Sequence, residues 1–451
     1  MSTIPTPVSS DSSSLRSDKL PDVEQSPVDE KSTPQTAVEP VSLWHPSQFP
    51  DGGRDAWLCL LGAACLLFCS FGWLNCVGVF QNYYSNNQLR EHSSSQIAWI
   101  ASLQIFMMFF PGPLVGFLYD NHGPKPLILV GGFFHIFGLM MTSLCTEYWQ
   151  FILAQGICSP LGLNCIFNAG INTIPTWFLK KRGAAYGGMA AGSGLGGVIF
   201  PVMASRLIPM IGYGWTMRTF GFLIMALLLV ALVTVKSRLP PRPRKWQLAV
   251  FVEPFKDRRY ILTLLPSFVF FFGLFIPINY IEVQALSVGM SMTMAGYLLP
   301  VLNAASIFGR ILPGALADKF GPFNLQTMMG FVAAILVFGF GLTSTSNAAI
   351  IVYAALYGFA SGAYVSLLPA QLASISKVEQ IGVRTGVTFS ITSFAGLVGN
   401  PIAGALLGHG QPTKRGFDKL SIFAGCMLMG GAVLFTVARF YVAGGKAVAR
   451  V

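Results

Sequence analysis

From residue 56 onward the chain is a succession of long apolar runs broken by short polar turns. Ala56–Leu89, His92–Tyr119, Tyr148–Leu179, Val283–Gly309 and Phe320–Ser376 contain no Asp, Glu, Lys or Arg. A helix that crosses a bilayer needs about 20 apolar residues. The longest run therefore holds two crossings, with a turn near Thr343–Asn347. The spacing predicts twelve transmembrane helices at about 57–80, 97–119, 126–145, 149–173, 184–206, 217–236, 260–281, 293–316, 324–343, 348–371, 382–407 and 420–442. The expected fold class is an all-α membrane protein.

A near-repeat splits these helices into two sets of six. Gly116-x3-Asp120-x2-Gly123-Pro124 recurs as Gly314-x3-Asp318-x2-Gly321-Pro322, 198 positions later. Each copy ends an apolar run and opens a polar turn. Two halves built alike around a central site is how many transporters are made. This organisation gives a tail at 1–55, pseudo-symmetric six-helix halves at 56–236 and 260–443, a linker at 237–259 and a short tail at 444–451. Asp120 and Asp318, with Gly116 and Gly314 beside them, are expected to act as conformational latches. Beside a glycine turn a carboxylate accepts hydrogen bonds from helix amino-terminal N–H groups and resets them as the halves rock. The alternative role is proton carriage.

Composition and charge sharpen this picture. Apolar residues make up 53% of the chain and charged residues only 10%, far from soluble averages. Mean hydropathy is +0.60. Counting three residues into each helix end, the loops 2–3, 4–5, 6–7, 8–9 and 10–11 carry 15 Lys/Arg and the opposite loops 6. By the positive-inside rule both termini are cytoplasmic, and the plasma membrane is the expected location. The net charge of +11 thus follows topology. Nucleic acid is not an expected partner, because no soluble domain presents the basic residues. The expected partners are the lipid bilayer and a small-molecule substrate.

Residues 1–55 are dominated by Ser, Thr, Pro, Asp and Glu up to about Pro40, which predicts a disordered cytoplasmic segment. Without a basic region leading into an apolar core, it is not a cleaved signal. In the linker, Trp246, Phe251 and Phe255 predict a stretch lying on the membrane surface. The eight cysteines form no C-x-x-C pair, and no His stands at metal-ligand spacing from them. They read as small buried hydrophobes, and neither a metal nor a cofactor is expected. No Asn-x-Ser/Thr sequon occurs.

Gly192-Ser193-Gly194-Leu195-Gly196-Gly197 fits the dinucleotide pattern G-x-G-x-x-G, but no strand precedes it and no acid follows about twenty positions on. Gly183, Gly187, Gly188, Gly192 and Gly196 supply overlapping G-x-x-x-G spacings instead, a surface for close helix packing. No nucleophile–base pair is evident, so an enzyme is not expected.

Arg310 carries the most weight among site candidates. It stands well inside an expected span, where an arginine costs roughly 2.5–3.5 kcal/mol on insertion scales and should face a cavity. Asn303, Ser306 and Arg310 share one face of helix 8 as a polar stripe. A guanidinium there would hold a carboxylate through two parallel hydrogen bonds. The bland alternative is an arginine that snorkels to meet a loop carboxylate. Further cavity candidates are Asn164, Asn168 and Asn172 on one face of helix 4, Tyr357, Ser361 and Tyr364 on helix 10, and Asn279 beside Pro277 on helix 7. Helix–helix hydrogen bonding is an equal alternative for each.

Thr176–Gly192 resembles the helix 4–5 signature of the monocarboxylate porter family within the major facilitator superfamily. Asp51-Gly52-Gly53-Arg54-Asp55-Ala56-Trp57 resembles the family's signature before helix 1, with Arg54 where an aromatic usually stands. The repeated Gly-x3-Asp turns are similar to the superfamily's loop 2–3 and 8–9 motif. The resemblance covers roughly 51–443, and Phe80-Gln81-Asn82-Tyr83-Tyr84 resembles the fungal branch. It implies a twelve-helix bundle around a central cavity, with Arg310 at the family's carboxylate-binding position and Asn168 at a family asparagine. Asn75 replaces the family's helix 1 lysine, and Ser306 replaces the acid one turn before the arginine. With only Glu282 near the outer end of helix 7, the usual proton machinery is reduced, and a bulkier acid than lactate is implied. Three readings follow: a carrier of a small organic acid or carboxylated metabolite, an exporter of a fungal secondary metabolite, and a nutrient sensor with a transporter fold.

Overall fold

The computed structural model describes residues 48–451 apart from Arg242, Arg244, Trp246, Thr345 and 408–412. Most of the tail expected to be disordered, and Trp246 of the linker, lie outside the described residues.

Among the described residues the chain is helical, with no strand. The spans are α1 (Arg54–Asn86), α2 (Gln96–His122), α3 (Pro124–Thr142), α4 (Tyr148–Trp177), α5 and α6 (182–211 and 213–234), α7 (Arg258–Ser287), α8 (Met292–Phe320), α9 (Pro322–Thr343), α10 (Asn347–Ser374), α11 (Val378–Leu407) and α12 (Lys414–Val442). Helical residues follow one another from Arg182 to Thr234, 53 in all, which as one straight helix at 1.5 Å per residue would reach about 80 Å against a hydrocarbon core of about 30 Å. The backbone leaves helical geometry at Gly212 (φ 78°, ψ 165°), a conformation glycine adopts without penalty. Both ends of the stretch then meet the end of α4: Asp51 accepts from the N–H of Lys181, and Trp177 Nε1 donates to Lys236 O at 2.7 Å. The segment therefore crosses twice, which makes twelve passes among the described residues.

Local sequence sets the helix ends. Ser93 and Gln96 form a reciprocal capping box ahead of α2, and the side chains of Ser346 and Thr413 cap α10 and α12. At the repeated turns Gly123 and Gly321 take φ 75° and 95°, closing α2 and α8, and Pro124 and Pro322 open α3 and α9. Boundaries differ from expectation mainly at α1, which continues to Asn86 instead of ending at 80. Its course is broken by a π-helical turn at Phe68–Gly72 and by a turn at Asn75 and Cys76.

The outward faces are apolar. Phe133 is 64% exposed and Trp149 61%, as suits contact with lipid rather than water. Polar side chains turn inward: Asn164, Asn168, Asn172, Asn303, Ser306 and Arg310 are all buried.

The two halves meet most closely at one end, here termed the latch end, where glycines face each other across helices. A Cβ built on Gly112 would lie 2.6 Å from Gly386 O, joining α2 to α11. One built on Gly314 would lie 2.7 Å from Gly183 O and 3.0 Å from Gly187 Cα, joining α8 to α5. Only glycine permits this backbone proximity. Asp51 and Arg450 both contact residues of this end, so the described chain enters and leaves there.

Candidate functional site

A cavity of about 290 Å³ opens away from the latch end. Its walls come from both halves: Asn75 and Gln81 of α1, Ser102 of α2, Asn279 and Glu282 of α7, and Asn400 of α11. Below it, sharing Asn75, Phe275 and Ile278, lies a smaller pocket of about 20 Å³, room for little more than one water. Asn303, Ser306, Arg310 and Ser361 line this pocket together. The stripe read from helical spacing on α8 thus converges with one residue of α10.

Arg310 is 3% exposed. Its Nη1 donates to Ala190 O at 3.3 Å, while its Nε has no hydrogen-bond partner. No carboxylate pairs with it among the described residues, so the snorkelling alternative does not describe its position. Asn75 Nδ2 is a second buried donor without a partner in the same pocket. Buried donors cost free energy unless paired, about 1–3 kcal/mol each. Both residues line the same small pocket.

Helix α5 explains how the guanidinium fits. A Cβ on Gly194 would lie 2.7 Å from Arg310 Nη1, and one on Gly197 would meet the Asn303 amide at 2.5 Å. On another face, Gly192 abuts the Ala64 backbone and Gly196 lies against Gly72 Cα and Phe68 O, both at 2.8 Å from a built Cβ. The glycine run therefore serves two neighbours, α1 and α8, where G-x-x-x-G spacing predicted one packing surface. Its second face makes room for Arg310.

Other candidates divide by place. Asn279 lines the open cavity and donates to Asn400 Oδ1 at 2.9 Å. Asn168 lies outside both spaces, in a ladder where Asn172 Nδ2 donates to Asn168 Oδ1, Asn168 Nδ2 to Asn164 Oδ1, and Asn164 Nδ2 to Met108 O at 2.6 Å. Tyr364 also stands apart: its hydroxyl donates to Ser267 O at 3.3 Å and its ring stacks on Phe270. Tyr357 likewise bonds Leu274 O on α7. Of the α10 set, Ser361 alone faces the pocket.

An aromatic cluster that no spacing signalled connects both halves beside the pocket. Phe71 contacts Phe109, Phe167 and Phe275, and Phe109 stacks on Phe389 with centroids 5.3 Å apart. The chain holds 37 Phe spread along every span, so composition gave no way to single these out.

The latch residues sit at the end opposite the cavity's opening. Asp318, in the last turn of α8, accepts from Gly183 N at 2.6 Å and Ala184 N at 2.9 Å, the second and third N–H groups of α5. Asp120, in the last turn of α2, lies against Gly382 near the start of α11, with Gly116 O beside it. Gly314 and Gly116 allow the approach. A third carboxylate had no role in the sequence reading: Asp51 Oδ1 accepts from Leu179 N and Lys180 N at 2.7 Å and Lys181 N at 3.2 Å. It holds the α4–α5 connection in place.

Residues 60–400 match the family model of the Major Facilitator Superfamily. The chain is 52% identical over 405 residues to MFS-type transporter 1 of Ophiocordyceps sp., covering 90% of each chain. It is 44% identical to the fujikurins efflux protein of Gibberella fujikuroi, over 85% of this chain and 83% of that one. It is 39% identical to the aspyridones efflux protein of Emericella nidulans, over 91% and 82%. Among solved structures it is similar to FucP in the outward conformation, with TM-score 0.65 and 17% identity over 86% of this chain and 99% of that one. Twelve passes among the described residues, in two like halves with a cavity between them, are thus the architecture of a multi-pass membrane transporter, and the chain belongs to the Major Facilitator Superfamily.

Proposed function

We propose that this transporter exports a carboxylated secondary metabolite across the plasma membrane by alternating access, as a monocarboxylate-porter-type carrier. The observation that carries this reading is the pair of unpartnered donors, Arg310 Nε and Asn75 Nδ2, on one buried pocket that holds no acid. A carboxylate satisfies both and neutralises a buried guanidinium, which no neutral group does. Export rather than uptake is supported by relatives named as efflux proteins. The latch end, rich in basic residues such as Lys180, Lys181 and Lys236, is then the cytoplasmic face, with both termini inside.

The phenylalanine cluster around the pocket favours a second reading, an exporter of a neutral, largely apolar metabolite. Cells with and without the protein, loaded with fungal carboxylic acids and their methyl esters, separate the two. Acids leaving faster than esters only when the protein is present supports the first reading. Equal efflux of both transfers the function to the second.

A further inference from the structure

We propose that Arg450 is a positioning residue for transport: with the segment 444–451 that carries it, it straps the turn between α8 and α9 and presents Asp318 to α5, so that the latch end closes more readily. The proposal rests on the reading of Asp318 as a conformational latch.

The sequence places 444–451 beyond the last span as a short tail. In the structure this segment folds back on its own half. Gly444 and Gly445 take φ 62° and 82°, a left-handed pair that ends α12 and reverses the chain. Arg439, buried in the last turn of α12, then donates from Nη1 to Lys446 O at 2.7 Å and from Nη2 to Ala447 O. Its Nε donates to Asn324 Oδ1 at 2.7 Å, and Asn324 Nδ2 donates to Ala449 O, also at 2.7 Å. Arg439 and Asn324 thus tie the segment to α12 and α9 together.

Residues 450 and 451 reach the turn itself. Val451 O accepts from Phe323 N at 3.0 Å and Asn324 N at 3.4 Å, two N–H groups in the first turn of α9 that have no partner within the helix. A Cβ built on Gly321 would lie 2.5 Å from Val451 N, so the turn glycine is what admits the strap. Arg450 Nη2 donates to Asp318 O, one of the carbonyls left over at the end of α8, and its charge attracts the Asp318 carboxylate. The matching turn of the first half is covered more loosely. A Cβ built on Gly123 would meet Pro241 Cγ alone among the described residues, at 3.8 Å.

Capping requires both Asp318 oxygens to stay over Gly183 N and Ala184 N of the other half. Whenever the latch end closes, the end of α8 and the turn after it lose freedom. A strap bonded at the Asp318 carbonyl and again at the start of α9 removes part of that freedom beforehand, and a preorganised partner binds more tightly through the same contacts. Arg450 also lines a cleft with Lys180 and Gly183 of the first half, so it stands at the seam where the halves separate. It acts on the equilibrium of the latch without touching substrate.

Hydrogen–deuterium exchange on the purified full-length protein in lipid nanodiscs reads the latch directly, because Asp318 holds the Gly183 and Ala184 amides. Arg450→Ala should speed exchange in peptides covering 182–188 roughly three- to tenfold, the scale of one hydrogen bond. Arg450→Lys, which keeps the charge and a donor, should restore most of the protection. Removal of 448–451 leaves the Arg439 bonds to Lys446 and Ala447 in place and should act at least as strongly as Arg450→Ala. With Asp318→Ala already present, Arg450→Ala should add nothing at these amides. A general brace would instead lower the melting temperature and speed exchange equally in both backgrounds, and that result overturns the proposal. So does an Arg450→Ala protein whose 182–188 exchange matches wild type; if Asp318→Ala alone still speeds it, the latch stands without the strap. Unchanged exchange in Asp318→Ala would remove the latch reading and the role of Arg450 with it.

Discussion

Asp318 at the end of α8 holds both oxygens against the second and third N–H groups of α5, at Gly183 and Ala184, so a residue of the second half caps a helix of the first. Asp120 lies against Gly382 at the corresponding place with the halves exchanged. A carboxylate at a helix amino terminus gains from the dipole as well as the hydrogen bonds. The Asp318 cap and the approach of Asp120 to Gly382 both join the two halves at this end.

Asp318→Asn keeps one acceptor and loses the charge, which removes about 1–2 kcal/mol from the closed latch end, or roughly tenfold in the conformational equilibrium. Asp120→Asn should act alike, and the two effects should add because the sites are separate. Both proteins should reach the membrane with normal yield. Transport rate by single turnover and labelling of a cysteine introduced at the latch end measure the shift. Normal kinetics in the double variant would reduce the repeated turns to structure alone.

Asp51 combines two requirements that substitution can separate. Its φ of 49° lies in the left-handed region that Asp and Asn tolerate and Ala does not. Its carboxylate also accepts from three consecutive N–H groups. Asp51→Asn should keep the backbone and weaken the cap, costing about 1 kcal/mol, and Asp51→Ala should cost about 3 kcal/mol through both losses. Melting temperatures in detergent should rank wild type, Asn, Ala in that order.

What the sequence made legible and what it did not follow from the range of the forces involved. Twelve crossings were readable because the bilayer imposes length and polarity on each helix by itself. The positive φ at Gly123 and Gly321 was implicit in the repeated Gly-Pro turn. Arg310 stood out because a charge in a span is costly wherever its partner lies. Contacts between distant segments left no such mark. Tyr364 and Ser361 share a helical face, yet one turns to α7 and the other to the pocket, since neighbouring helices decide which part of that face is lined. Asp51 matched a signature, but its partners lie more than a hundred residues on.

The glycines of α5 yield a sharper test of packing. Gly192→Leu would drive a side chain into the Ala64 backbone, and Gly187→Val into the backbone of Arg310 and Ile311. Overpacking of this kind costs about 1–3 kcal/mol, more where backbone cannot retreat. Gly339→Ala meets nothing within 4 Å and should leave folded yield unchanged. Size-exclusion profiles of fluorescent fusions give the comparison. Equal yield for Gly192→Leu and Gly339→Ala would contradict the close α1–α5 approach.

Topology has its own test. With the latch end cytoplasmic, tags at either terminus or in the linker at 237–259 should be silent to antibody in intact cells and appear on permeabilisation. A tag in the connection between α1 and α2 should be accessible from outside. External labelling of a terminus would invert the orientation and, with it, the assignment of export.

The strongest test of the functional reading lies at Arg310. Arg310→Lys keeps the charge but loses the planar fork, and the ammonium, held on a different stem, cannot present two parallel donors to a carboxylate. Loss of one charge-assisted hydrogen bond at about 1.5–3 kcal/mol should lower transport of a carboxylated substrate roughly 10- to 100-fold. Arg310→Ala leaves a buried substrate anion unpaired and should cost about 3–5 kcal/mol. Because Gly194 and Gly197 of α5 exist around the Arg310 and Asn303 side chains, Arg310→Ala also opens space against α5. Expression must therefore be measured beside flux, and Arg310→Lys is the cleaner variant. A methyl ester should be transported poorly by the wild type and almost equally by all three proteins. Were acid and ester to move alike through the wild type, with Arg310→Lys changing neither, the guanidinium would be a structural brace between α8 and α5 and the apolar cavity would select the substrate.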